Sequence, residues 1–96
     1  MVKEADFQSK VIKWLRSQKC IVFKMQQNAT TRIATPDILF LKDGFWGAIE
    51  CKKSKNAKFQ PGQKEMVAKM NEMSWAKAVW PENWEETKEE LNFILK

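Results

Sequence analysis

The chain has no histidine and no tyrosine, and only three glycines and two cysteines among its 96 residues. Each shortage closes off some chemistry. Without histidine there is no Ser-His-Asp or Cys-His triad, no imidazole metal ligand and no histidine base. Without tyrosine there is no phenolic nucleophile to attack DNA. So few glycines leave no phosphate-cradling loop of the P-loop or dinucleotide type. Cys20 and Cys51 are too few and too scattered for a disulfide framework, which points to a reducing interior. No apolar run approaches the roughly 20 residues that a membrane span needs, and the first six residues form no apolar signal region. The expectation is an intracellular, cytoplasmic protein with no membrane partner and no organic cofactor. Acids and lysines remain to carry any chemistry.

What is present argues for folding. The composition is 44% hydrophobic, too apolar for a disordered chain, and 96 residues suit one domain spanning 1–96. The net charge is +5, and it is unevenly spread. Residues 1–33 carry a net +5, residues 34–80 a net +3 and residues 81–96 a net −3. A polyanion would meet the first two segments and avoid the third.

Hydrophobic spacing sets the elements. Phe7, Val11, Trp14 and Leu15 form one stripe of a helix over residues 4–18. Ile21 to Phe23 is a short strand, and Gln26 to Thr35 is a polar loop. Ile38 to Leu41 and Phe45 to Cys51 are two further strands. Lys52 to Phe59 is a basic connection. Pro61 suits the first turn of a helix that Gln63 caps, running to about Met73 with Met66, Val67 and Met70 inward. Trp75 to Trp80 is the last strand. Asn83 and Glu86 form a capping box for a closing helix, with Trp84, Leu91, Ile94 and Leu95 on its apolar side. The expected architecture is α/β: a small mixed sheet of about four strands flanked by helices, in the order αβββαβα.

The most telling motif is Pro36-Asp37, followed after a gap by Glu50-Cys51-Lys52. Between them lies Asp43-Gly44, a strong hairpin signal. With those two as the loop, Asp37 falls directly opposite Glu50. Opposed residues project from one face of the pair, so two carboxylates meet and repel unless a cation lies between them. A divalent metal would reverse that penalty. Mg²⁺ and Mn²⁺ prefer oxygen ligands and often use one or two carboxylates, leaving water and phosphate to fill the shell. Asp37 and Glu50 supply the carboxylates, and the main-chain carbonyl of Cys51 supplies a third oxygen. The Cys51 thiol points to the opposite, core face. Lys52 shares the face of Glu50, where it orients or deprotonates an attacking water, or stabilises charge on phosphate.

These residues resemble the PD-(D/E)XK nuclease signature. Over nearly its whole length the chain resembles the virus-type replication-repair nuclease (VRR-NUC) domain, in the short stand-alone form found in phages. Glu4 matches that family's acid in the first helix, and Gln63 matches its glutamine after the motif lysine. The run from Ala76 to Trp84 resembles its closing strand and helix start. The segment Ile33-Ala34-Thr35-Pro36 departs from it, because the family often has glycine two residues before the proline. The resemblance implies a restriction-endonuclease-like core and Mg²⁺- or Mn²⁺-dependent endonuclease cleavage of DNA. It also implies a homodimer acting on branched DNA such as Holliday junctions. Asp37, Glu50 and Lys52 would be the catalytic set. Glu4 would support the metal site, and Gln63 would lie near the substrate or the lysine. Lys53, Lys55 and Lys58 follow the catalytic strand, and Lys24 and Arg32 flank the polar loop; all five are candidates for phosphate contact. Two other readings stand beside this one: the same chemistry directed at flaps, ends or single strands, and a non-catalytic module that binds DNA junctions.

Overall fold

The computed structural model describes residues 3–25 and 34–96. The elements are α1 (Glu4–Ser17), β1 (Ile21–Lys24), β2 (Ile38–Lys42), β3 (Phe45–Cys51), α2 (Gln63–Met73), β4 (Trp75–Val79) and α3 (Trp84–Ile94), with a 3₁₀ turn (Pro81–Asn83) before α3. The strands form one sheet in the order β1-β2-β3-β4. β1–β2 and β2–β3 are antiparallel. β3–β4 is parallel, with α2 making the crossover, as a parallel pair requires. The mixed sheet flanked by helices is the expected architecture, and the 3₁₀ turn is its one addition among the described residues. Within those residues no helix is long and apolar enough to cross a membrane.

The β2–β3 register follows from its turn. Asp43 and Gly44 have φ of +49° and +86°, the left-handed pair of a two-residue hairpin loop. Lys42 therefore pairs with Phe45 and Ile38 with Ile49. One step further along the same ladder, Asp37 stands opposite Glu50. The main-chain carbonyl of Asp37 accepts a hydrogen bond from Met25 N at 2.7 Å, which extends the β1–β2 pairing to this point.

Alternation along the strands divides the sheet into two faces. Ile38, Phe40, Ile49, Cys51, Trp75 and Val79 face α1 and α3, where they pack with Phe7, Val11, Leu15, Trp84, Leu91 and Leu95 in the core. Phe7 and Trp14 both meet the Trp84 ring edge-on, which joins α1 to α3. Gly47 leaves room for Phe40: a Cβ there would stand 2.4 Å from the Phe40 ring. The opposite face carries Leu39, Trp46, Ala48 and Glu50, and α2 packs over its β3–β4 half.

Three local expectations need correction. Pro61 is not in the first turn of α2, because Gly62 at φ +84° turns the chain out of the helical path and the helix begins at Gln63. Asn83 does not cap α3 with its side chain. Its amide reaches backward, accepting from Trp80 N at 2.8 Å and donating to Ala78 O at 3.3 Å, so it holds the 3₁₀ turn to the end of β4. Ile94 is 36% exposed. Thr87 is fully buried instead, with its hydroxyl donating to Asn83 O, which removes the cost of sinking a polar group. The polar stretch from Gln26 to Ile33 lies outside the described residues, and Arg32 with it.

Candidate active site

The C-terminal end of β3 gathers the site. Asp37 arrives from the start of β2, held by a hydrogen bond from Cys51 N to its Oδ2 at 2.8 Å. Glu50 lies on the same face and is only 3% exposed. Asp37 lies near enough for its charge to act on the Glu50 carboxyl. Glu50 Oε2 faces Lys52 Nζ at 3.3 Å. Its Oε1 is buried with no hydrogen-bond partner, which is costly for a polar atom.

The electrostatics follow from this crowding. Burial, then the charge of Asp37, pushes the Glu50 carboxyl up to about 7, against the opposing pull of Lys52. Burial also raises Asp37, opposed first by the bond from Cys51 N and reinforced by the charge of Glu4. Two raised carboxylates side by side mark a place that wants a cation. The Cys51 thiol is fully buried in the core cluster, and burial raises it well above the usual thiol range. It is packing, whereas the Cys51 main chain orients Asp37.

Lys52 is 6% exposed, and its ammonium is enclosed. Besides Glu50 it donates to Gln63 Oε1 and to Lys58 O, each at 3.1 Å, and it lies 4.7 Å from the centre of the Phe59 ring. Gln63, at 3% exposure, is fixed in turn. Its Oε1 also accepts from Gln60 N at 2.7 Å, and its own N–H returns a bond to Gln60 O at 3.0 Å. The basic connection is thus folded around the lysine. Phe59 and the Lys58 carbonyl were missed by sequence reasoning. An aromatic residue inside a lysine-rich stretch was the available signal for Phe59; nothing in the side chains signals a carbonyl.

The remaining candidates are less convergent. Glu4 stands exposed in the first turn of α1. Its charge reaches Asp37 and Glu50, yet no group of three His, Cys, Asp or Glu side chains closes on a common point among the described residues. Lys24, Lys53, Lys55 and Lys58 are exposed. Lys24 is the register partner of Ile38, one residue from Asp37, and the other three line the connection after β3.

A hard divalent ion suits what is present. The donors are oxygens, one of them is buried without a partner, and a pair of carboxylates is enough for an ion that keeps much of its water.

No protein-family model matches the chain, and no curated protein matches it. A solved structure described as "VRR_NUC domain" is similar to it, with a TM-score of 0.72 and 20% sequence identity over 93% of this chain and 97% of that one. At that identity the likeness establishes the fold: the chain has the architecture of a VRR-NUC domain.

Proposed function

We propose that the chain is a metal-dependent endonuclease that hydrolyses phosphodiester bonds in DNA, preferentially branched DNA such as Holliday junctions. The observation that carries this reading is the buried Glu50 carboxyl set against the half-buried Asp37 and beside an enclosed lysine, with Glu50 Oε1 unpartnered. A module that only binds DNA gains nothing from setting two carboxylates against each other near phosphate, since both repel it.

Asp37 and Glu50 would hold Mg²⁺ or Mn²⁺, which when bound supplies charge neutralisation at the phosphate and an activated water. Lys52 acts as a fixed positive charge. Its three N–H groups have three acceptors, Glu50 Oε2, Gln63 Oε1 and Lys58 O, which is the full complement of an ammonium. These contacts hold the ammonium beside the carboxylates, a placement suited to stabilising charge that develops on phosphate. Gln63 acts through Lys52 as a positioning residue. The exposed lysines Lys24, Lys53, Lys55 and Lys58 around the site are suited to holding the backbone of either strand.

Two copies acting on a four-way junction would nick it symmetrically. The surface offered for pairing is the edge of the sheet, where Ile21 and Phe23 are 64% and 51% exposed and Leu41, opposite Ile21, is 37% exposed. Apolar side chains grouped on a strand that is unpaired on its outer side among the described residues are a common interaction surface. Phe23→Lys is expected to turn a dimer into a monomer by light scattering.

The test is incubation with Mg²⁺ or Mn²⁺ against duplex, flap, single-stranded and four-way junction DNA. Metal-dependent cleavage, stronger on the branched DNAs than on the plain duplex and absent in Asp37→Ala, is expected. Undiminished cleavage by Asp37→Ala would remove the site assignment, and equal cutting of every DNA would remove the branched-DNA preference.

A further inference from the structure

The Phe59 ring that lies against the Lys52 ammonium also lines a groove of about 620 Å³. The groove runs between α2 and β4. Its surface is mainly apolar, with Val67, Ala68, Ala76 and Ala78 flanked by the rings of Phe59 and Trp80. Ala78 is the register partner of Glu50 across the β3–β4 pair, so the groove begins one strand away from the carboxylates. Lys55 and Lys64 also line it. They come from the two segments that supply Lys52 and Gln63, and one acid, Glu86, lines the groove with them. Neither is in an ion pair among the described residues, whereas Lys77, also lining the groove, is tied to Glu90.

The volume lies within the ~300–1,000 Å³ typical of small-ligand pockets. An apolar slot lined by two aromatic residues, with two lysines in no ion pair among the described residues, has the chemistry of a nucleotide pocket. Bases stack on aromatic side chains, and phosphates meet lysines. A base inside a duplex is already stacked and paired, and filling the slot with it would cost its extraction. An unpaired base bears little of that cost.

We infer that this groove takes up an unpaired nucleotide adjoining the bond cut at Asp37 and Glu50, so that the chain favours DNA with a single-stranded nucleotide at that position. This rests on the nuclease reading above and names part of what that site recognises.

The experiment uses fluorescence anisotropy without divalent metal. It compares a labelled blunt duplex with the same duplex carrying a short single-stranded extension. Wild type is set against Ala68→Glu and Lys64→Glu, both at exposed positions of α2, with thermal melts by circular dichroism confirming that each is folded. Wild type is expected to bind the extended duplex about tenfold tighter. Both variants should lose that preference, and Ala68→Glu should leave blunt-duplex binding close to wild type. Equal binding of the two DNAs by wild type, or a preference retained in both variants, overturns the inference. So does a change of molecular mass by light scattering with the DNA preference intact, which would make the groove a contact between protein chains. Parallel cleavage assays with Mn²⁺ separate the two claims. Cleavage without a groove-dependent preference defeats the groove alone, whereas the preference without cleavage of any DNA defeats the nuclease reading.

Discussion

Ile49 and Cys51 point to one face of the sheet and pack, fully buried, with Phe40 and Val79. Glu50, between them in the chain, points to the other face and lies beside Asp37 and Lys52. The first face is apolar and well matched, to the point that Gly47 has no side chain because the Phe40 ring occupies the space. The second buries charge and leaves an oxygen without a partner. Adjacent residues on one strand therefore do opposite work. One face lowers the free energy of the fold, and the other holds a group that the fold alone does not satisfy. Such local cost is expected where a site is organised for a ligand.

Substitutions on the two faces should separate sharply. Phe40→Ala empties the centre of the apolar face and is expected to cost about 3–5 kcal/mol in urea denaturation. A value below 1 kcal/mol would mean that the sheet–helix core is not the main source of stability. Gly47→Ala drives a methyl into the same ring and should cost about 1–3 kcal/mol.

The charged face should respond to pH instead. The Glu50 carboxyl titrates near 7 in the fold and near 4.5 in an open chain. The folded state therefore keeps a proton that the unfolded state has released. Its contribution is fully present below about pH 4.5, declines as pH rises toward 7 and stays reduced above that. Without divalent metal, that decline is expected to be about 3 kcal/mol. Glu50→Gln should flatten the slope between pH 5 and pH 8, whatever its absolute stability. An unchanged slope would place the titration elsewhere.

The smallest stability effect is expected at Gln63→Ala, which removes an acceptor from both Lys52 and Gln60 N. It should cost about 1 kcal/mol while lowering kcat more than it raises KM, because a loosened ammonium is felt most where charge develops. Gln63→Glu, which restores an acceptor, should recover part of kcat. A loss confined to stability would make Gln63 a turn residue only.

The contrast between the faces also explains what could be read from the sequence. The Asp43-Gly44 turn fixes register, and register alone sets Asp37 against Glu50 and sends Cys51 to the core. Strong periodicity gave α1 and its buried Phe7, Val11 and Leu15. What escaped notice depends on backbone reversal. Gly62 turns before α2, and Asn83 folds back to Ala78 and Trp80, although both segments carry residues typical of helix starts. The enclosure of Lys52 by Lys58 O and Phe59 was equally hidden, because a folded connection leaves no periodic signal.

Calorimetric titration of Mn²⁺ into wild type and Asp37→Asn near pH 7 tests the central claim most directly. Wild type is expected to bind the ion and to release protons as the ion displaces those held by the raised carboxyls, while Asp37→Asn loses about tenfold or more in affinity. Equal affinity in the two proteins, or no binding to wild type, would contradict the assignment of Asp37 and Glu50 as a metal site.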